Sequence, residues 1–278
     1  MKKRHILLLA MIPILSFSQG FQGKATYKTH KNIDLKITQN GNAPSAEAQK
    51  QFEEQLKKQF QKTYTLNFTQ AESTYKQEEE LKAPQPQASG VQIEIMGSGG
   101  HDILYKNIKE NCYVNKTEIM SKLFLIKDSI ANRNWELTGE TKNIGQYTCY
   151  KATASKTHEF TDITVQDGET KEEKKTRTIV ITAWYTPQIP VNNGPSDYDG
   201  LPGLILEINE DKLTIVCSEI VLNPQEKIVI EEPTKGKVVS QKEFDEIMDK
   251  KQKEMMEHFR SNNRGKKDGD IIEIRIGN

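Results

Sequence analysis

The sequence has no excess of either charge and few aromatic residues. Lysine plus arginine and aspartate plus glutamate number 39 each in a chain of 278 residues. This balance leaves no basic excess to attract nucleic acid or an anionic membrane, so neither is expected as a partner. Mean hydropathy is −0.71 and aromatic residues make up 7%. A chain this polar predicts a high ratio of surface to core, as in a broad sheet with one solvated face.

Long apolar runs are also missing, apart from a short one near the first residue. Residues 6–15 are apolar, follow a basic start and precede small residues. A membrane span needs ~20 apolar residues, so no span is predicted. The pattern instead predicts a signal peptide at 1–18, followed by a single exported domain at 19–278.

Only three cysteines are present, Cys112, Cys149 and Cys217. In an oxidising compartment one pair can form a disulfide and leave one thiol free. Cys149 and Cys217 each lie in a strand-like segment next to a stretch rich in proline and glycine, which favours that pair. Three pairings are open, and so is the alternative that all three are small buried residues.

Motifs for catalysis or metal binding are absent from the sequence. The histidines show no HExxH spacing, and there is no GxSxG motif. The acidic segment around Asp197 and Asp199 does not match a calcium loop, because Pro195 and Leu206 stand where an EF-hand needs carboxylates. No catalytic residue, metal ion or cofactor is therefore predicted. A looser cation site at the two aspartates keeps a hydrolase open as the alternative function.

Two segments have the periodicity of amphipathic helices. Apolar residues recur every four positions from Ala48 to Phe60, which predicts a helix over about 44–63. A capping box begins at Ser240 and precedes an apolar stripe, which predicts a second helix over about 240–260.

Most of the remaining chain alternates as strands do. Short turns separate period-two runs between residues 102 and 155, which predicts an antiparallel meander. The strand Thr178–Tyr185 has apolar residues on both faces and is predicted to be covered on both sides. The polar stretches 74–90 and 167–177 are predicted to be loops. The expected fold class is α+β, mainly β: a large antiparallel sheet with one N-terminal and one C-terminal amphipathic helix.

Proline and glycine are concentrated in the stretch Trp184–Ile208, whose pattern predicts a strand, a loop and a second strand. Pro202 suits position i+1 and Gly203 position i+2 of a type II turn. Four prolines stiffen the loop, so it is either a preorganised binding edge or a plug that packs against the sheet. The residues expected to bind a partner are Trp184, Tyr185, Pro187, Pro190, Asp197, Tyr198, Asp199, Leu201 and Pro202.

The hexapeptide at 200–205, Gly-Leu-Pro-Gly-Leu-Ile, resembles the signature of the GLPGLI family of exported proteins of Gram-negative bacteria. The segment Ala183–Pro190, AWYTPQIP, and the Gly-Pro pair at 194–195 look like the element that precedes this signature. Residues 143–152 resemble an upstream Gly-Tyr-x-Cys-x-Lys-Ala element, with Gln146 inserted after its glycine.

The resemblance covers roughly residues 135–222, and the family has no established activity. It implies a sheet similar to the open half-barrel of lipoprotein carriers and a location in the periplasm or at the outer membrane. Some members look associated with TonB-dependent receptors. We therefore expect an exported, non-catalytic envelope accessory protein that binds a protein, peptide or lipid-like partner, with an outer-membrane receptor as the specific candidate. The alternative is a periplasmic hydrolase that uses carboxylates or a metal.

Overall fold

A computed structural model describes residues 21–31, 61–78, 87–88, 91–92, 102–166 and 169–263, together with Glu47, Lys50 and Glu54. The predicted signal peptide at 1–18 lies outside the described residues. The elements are β1 (Gln22–Lys31), β2 (Lys62–Thr69), β3 (Glu72–Gln77), β4 (Gln87–Ala88), β5 (Val91–Gln92), β6 (Ile103–Asn107), β7 (Cys112–Ile119), β8 (Lys122–Ser129), β9 (Glu136–Ile144), β10 (Tyr147–Gln166), β11 (Glu169–Thr186), β12 (Leu204–Glu210), β13 (Leu213–Leu222), β14 (Lys237–Val239) and α1 (Gln241–Asn263).

Twelve of these strands form one sheet, in the order β14-β8-β7-β6-β3-β2-β1-β13-β12-β11-β10-β9, and β4 pairs with β5 separately. The end strands of the large sheet do not pair with each other, so the described sheet is not closed. Every neighbouring pair is antiparallel except β14 and β8, which are parallel. The expectation of a mainly β fold with one large sheet is confirmed. One strand pair departs from the expected antiparallel sheet: β14 runs parallel to β8, because the chain reaches β14 by a crossover.

The cross-strand register gives the sheet two different faces. Ala25 and Tyr27 of β1 share a face with Leu66 of β2, and all three side chains are fully buried. The same cluster contains Ile181 of β11 and Ile208 of β12 from the other half of the sheet. We call this side the inner face. The loop at 187–203, which we call the plug loop, also contributes to this cluster, so one core joins both halves of the sheet to the loop.

The first strand of the described chain lies in the middle of the sheet. β1 pairs with β2 on one side and with β13 on the other, where Gly23 lies opposite Leu222. The two halves of the sheet therefore meet along a contact between distant parts of the sequence.

The segment 223–236, which we call the strap, connects β13 to β14 across the opposite, outer face. Ile230 packs against Tyr105, Val114 and Leu125, a cluster on the other side of the sheet from the core. Seven strand spacings separate β13 from β14, a distance of about 34 Å. An extended strap reaches about 46 Å, so its length suits the crossover.

The C-terminal helix is confirmed and begins as the capping box predicts. The backbone N–H of Ser240 donates to the Glu243 carboxylate at 2.7 Å, and the backbone N–H of Glu243 donates to Ser240 Oγ at 3.2 Å. These reciprocal bonds satisfy N–H groups that have no partner within the helix. Phe244 packs on Phe124 of β8 with ring centroids 5.7 Å apart, so the helix covers the β8 end of the inner face. Within the described residues, no helix is long and apolar enough to cross a bilayer.

The predicted N-terminal helix over about 44–63 lies outside the described residues except at a few positions. Glu47, Lys50 and Glu54 are helical. Lys62 and the residue after it belong to β2, so the predicted end of this helix is wrong. One helix is therefore described as a complete element, not the expected two.

Three of the strand and loop predictions are wrong. β3 and the start of β11 occupy stretches predicted to be loops, because each pairs along its length with a neighbouring strand that satisfies its backbone groups. The strand Thr178–Tyr185 is not covered on both sides. Ile179 and Ile181 are buried on the inner side, but Val180 between them is 57% exposed.

Candidate functional site

The first part of the plug loop alternates between buried and exposed residues. Ile189, Val191 and Asn193 are at most 1% exposed, whereas Pro190 and Asn192 between them face solvent. The N–H of Val191 donates to the Ile189 carbonyl at 2.8 Å, and the N–H of Asn193 donates to the Val191 carbonyl at 2.9 Å. These bonds across one residue define γ-turns. The loop is therefore a narrow extended segment with one face against the core and one face in solvent.

Bonds to the start of β12 hold this segment in place. The N–H of Leu204 donates to the Ile189 carbonyl and that of Ile205 to the Asn193 carbonyl, both at 3.0 Å. The Tyr27 hydroxyl donates to the Ile205 carbonyl at 2.7 Å from the opposite half of the sheet. The loop and β12 thus form a single hydrogen-bonded layer over the core.

The predicted type II turn at Leu201–Leu204 is wrong. Its closing bond would run from the Leu204 N–H to the Leu201 carbonyl, but that N–H is already bonded elsewhere. The Gly203 N–H instead donates to the Leu201 carbonyl at 2.8 Å, forming a γ-turn centred on Pro202. Gly203 has a φ of 158°, which residues with a side chain rarely adopt and which differs from the value of about +80° in a type II turn. Glycine is required there for space, because a Cβ atom would lie 2.2 Å from the Thr186 carbonyl oxygen.

A buried lysine connects the other half of the sheet to the plug loop. Lys106 of β6 lies opposite Ser73 on the inner face. Its ammonium donates to the carbonyls of Tyr198 at 3.1 Å and Gly194 at 3.4 Å. Its Nζ also lies 3.5 Å from Asp199 Oδ2, and the two side chains are 2% and 7% exposed. The lysine thus replaces the water that these carbonyl groups would otherwise bind.

The two pKa values in this pair respond to burial in opposite directions. Burial lowers the pKa of Lys106, and this effect is larger than the rise caused by the nearby charge of Asp199. Burial raises the pKa of Asp199, and this effect is larger than the fall caused by the nearby charge of Lys106. For both groups, therefore, loss of hydration outweighs mutual attraction. Within the described residues, Asp199 Oδ2 makes no hydrogen bond, and the Lys106 ammonium 3.5 Å away is its ion-pair partner.

The segment between β8 and β9 binds the plug loop at residues 197–199 through side chains of Arg133 and Trp135. Arg133 donates both to the backbone carbonyl and to the carboxylate of Asp197. Its guanidinium lies 4.6 Å from the centroid of the Tyr198 ring, and the Trp135 indole N–H donates to the Asp199 carbonyl at 2.8 Å. Burial would raise the pKa of Asp197, but the charge of Arg133 overcomes this and lowers it.

The nine residues predicted to bind a partner fall into three groups. Tyr185, Tyr198, Asp199 and Leu201 are at most 5% exposed and belong to the packed inner side. Trp184 lies opposite Glu207 on the outer face, where Lys142 Nζ is 4.4 Å from the ring centroid. The exposed members lie on the solvent side of the plug loop with Asn192, and we call these five residues the outer ridge: Pro187, Pro190, Asn192, Asp197 and Pro202.

Sequence reasoning missed Lys106, Arg133 and Trp135. One signal for Lys106 was available, since it shares a face with Leu104 in an alternating strand. That pattern does not identify its partner, which lies 93 positions later at Asp199. Arg133 lies in a polar segment between two strands, and nothing in its neighbourhood distinguishes it from a solvated surface arginine.

The two aspartates of the plug loop that suggested a cation site have separate partners. Asp197 and Asp199 are paired with different cations, Arg133 and Lys106. In the part of the chain that the structure describes, no group of three or more His, Cys, Asp or Glu side chains is placed to hold a metal ion.

All three cysteines are free thiols in the structure. Burial raises the pKa of Cys149 to about 11 and that of Cys217 to about 12. Both belong to the main core cluster. Their pairing in an oxidising compartment stays a prediction.

Comparison with protein families gives one match, which coincides with this site. Residues 135–207 match a family model described as a protein of unknown function (Porph_ging). The matched interval contains β9, β10, β11, the plug loop and the first part of β12, and it covers less than half of the chain. Membership of the GLPGLI family, which the hexapeptide at 200–205 implies, stays a prediction. No curated protein matches the chain.

Among solved structures, two of PNGF-II are similar to this chain. In the C2 and P21 space groups they give TM-scores of 0.45 and 0.46, each with 13% sequence identity. The similarity covers 81% of this chain but only 32% and 33% of the PNGF-II chains, so this chain spans about a third of their length.

Proposed function

We propose that this chain is an exported, non-catalytic accessory protein of the cell envelope, and that it binds a protein or peptide partner through the outer ridge. The observation that supports this function is the way the ridge is presented. Its exposed residues alternate with side chains locked into the core, as Pro190 does between Ile189 and Val191. A surface held in one conformation loses little entropy when a partner binds.

The attachment of the ridge supports the proposal further. Lys106 binds the loop from the sheet beneath it, through the Tyr198 carbonyl, and Arg133 binds its Asp197 carboxylate. The prolines of the ridge have φ fixed by their own rings. The plug and the binding edge, posed as alternatives by the sequence, are therefore two sides of the same loop.

The finer features of the proposal come from the sequence resemblance. The hexapeptide at 200–205 supports GLPGLI membership, export to the periplasm or outer membrane, and a sheet of the open half-barrel type. The specific partner we propose is an outer-membrane TonB-dependent receptor. We do not propose the alternative hydrolase, because the carboxylates that suggested it are engaged by Lys106 and Arg133.

Photocrosslinking in the native envelope tests the proposal. A photoreactive amino acid is placed at Pro190 or at Pro202, and at Val238 as a control. Val238 is 60% exposed and lies on the short end strand β14. We expect the ridge positions to give a discrete adduct, identified by mass spectrometry as an outer-membrane protein, that the control position lacks.

A charge substitution on the ridge provides the second measurement. Pro190→Glu should reduce capture of that adduct partner at least about tenfold while leaving the thermal unfolding temperature within a few degrees, since the side chain is exposed. Val238→Glu is the matched control. Equal capture by the wild type, Pro190→Glu and Val238→Glu, or equal adducts at all three positions, would show that the ridge is not the binding surface.

A further inference from the structure

A cleft on the outer face lies beside the strap and is separate from the plug loop. It has a volume of about 700 Å³, within the usual range for small-molecule sites. One wall is the sheet, through residues of β2, β3, β6 and β7. The other wall is the strap, through Val229 and residues 231–235.

Contacts on both sides of the cleft hold the strap at a defined position. Near β13, the N–H of Asn223 donates to the Gln22 carbonyl at 2.8 Å, and the N–H of Ile228 donates to Oε1 of the same glutamine at 3.2 Å. Farther along, Glu232 pairs with Lys127 of β8 at 2.6 Å. Because the strap is fixed at both places, the wall of the cleft that it forms is part of the folded structure.

Two lysines lie in one row on the sheet, which is the floor of the cleft. Lys76 lies opposite Ile103, and Ile103 lies opposite Lys116 on the next strand. Residues paired in this way project from the same face, so the two lysines flank an apolar side chain at two strand spacings, about 10 Å apart. Lys235 faces them from the strap.

The lysines of the cleft make no salt bridge among the described residues, whereas one of its three carboxylates does. Lys76, Lys116 and Lys235 make no salt bridge there. Glu232 is neutralised by Lys127, and Glu78 accepts a 2.6 Å hydrogen bond from the Thr65 hydroxyl. Three lysine charges therefore remain against the carboxylates of Glu78 and Glu231, and the floor row itself is purely cationic.

We propose that the cleft binds a small acidic ligand with two carboxylate or phosphate groups. One anionic group contacts Lys76, the other contacts Lys116, and the part of the ligand between them lies over Ile103. Lys235 adds a third contact from the strap. Charge-assisted bonds from ammonium to carboxylate or phosphate supply the affinity, and the apolar residue between the lysines favours a ligand with a hydrocarbon spacer.

Titration calorimetry of the full chain tests this with defined probes. Octanedioate and octanediyl bisphosphate carry two anionic groups on a spacer of suitable length, and octanoate carries one. We expect both dianions to bind and octanoate to bind at least about tenfold more weakly. Comparison of the two dianions identifies carboxylate or phosphate as the preferred group.

The double variant Lys76→Gln/Lys116→Gln should weaken dianion binding at least about tenfold. Lys242→Gln/Lys250→Gln has the same change in charge on α1, which packs on the other face, and should bind as the wild type does. The proposal would be overturned if the wild type bound no dianion or bound the dianions no more tightly than octanoate. Equal dianion binding by both double variants would also overturn it. The ridge crosslink should be unchanged in every variant, so the test is independent of the proposed partner interaction.

Discussion

Lys106 and Asp199 form an ion pair across the boundary between the sheet and the plug loop, with Nζ 3.5 Å from Oδ2 and both side chains buried. β6, which carries Lys106, is in the half of the sheet that contains β1 to β3. Asp199 follows β11, which is in the other half. The pair therefore fixes the plug loop to the half of the sheet that does not contain its flanking strands, β11 and β12.

Removal of the lysine from this pair should strongly destabilise the protein. Lys106→Met leaves the Asp199 carboxylate buried without its cation and removes the donor to two carbonyl groups, so we expect a loss of about 3 kcal/mol in the free energy of unfolding. Urea denaturation measures it. Lys106→Met/Asp199→Asn should lose less than the sum of the two single variants. A loss below about 0.5 kcal/mol for Lys106→Met would contradict a structural role for the pair.

Asp197 should contribute stability that depends on pH. Arg133 lowers its pKa in the folded state, so its contribution is present above the unfolded pKa of 3.8 and is lost as pH falls through the folded value. The Asp197 side chain is 66% exposed, which limits the effect to about 1 kcal/mol or less. Asp197→Asn should be less stable than the wild type at pH 7, with the difference vanishing near pH 2. A constant difference across this range would argue against the ion pair.

Gly203→Ala should disrupt the plug loop through a steric clash. The added Cβ would lie 2.2 Å from the Thr186 carbonyl oxygen, and the neighbouring atoms at 2.5 and 2.8 Å are also backbone. Because backbone cannot move aside as a flexible side chain can, we expect a loss of about 3 kcal/mol. Gly139→Ala in β9 is the matched control, since nothing lies within 4 Å of its added Cβ. Equal thermal unfolding temperatures for both variants would contradict the close approach.

Thiol labelling should separate the cysteines by burial. Burial raises the pKa of all three thiols, to about 11 for Cys149 and about 12 for Cys217. Because only Cys112 is partly exposed, a maleimide at pH 8 should modify it first. Mass spectrometry counts the labels. In denaturant without reductant, three labels indicate free thiols, whereas a single label on Cys112 indicates the predicted bridge between Cys149 and Cys217.

Strands with a strong local pattern were predicted well from the sequence. β7, β8 and β9 lie in the stretch between residues 102 and 155 that was predicted to be an antiparallel meander, because short turns separate its period-two runs. β3 and the outer part of β11 were missed because their residues are polar and charged. They are strands because a paired neighbour satisfies their backbone groups, which is a tertiary effect that no local pattern contains.

The sequence predicted where in the chain the candidate site lies, but not which of its side chains face solvent. Proline and glycine density located the plug loop, but it did not show which side of the loop packs against the core. Tyr198 and Leu201 were grouped with Pro190 and Pro202 as binding residues, although the first two are buried. Local spacing could not reveal Lys106 or the cleft, because both depend on the order of strands in the sheet.

The place of β1 between β2 and β13 has a consequence for the way the protein is made. β1 is made before the other described strands, yet its edge facing β13 stays unpaired until residues 213–222 have been made. Contacts of such long sequence separation form slowly. A chain that stops before residue 213 has two half-sheets without the strand that joins them. Folding of the whole sheet therefore requires the chain to be made as far as Leu222.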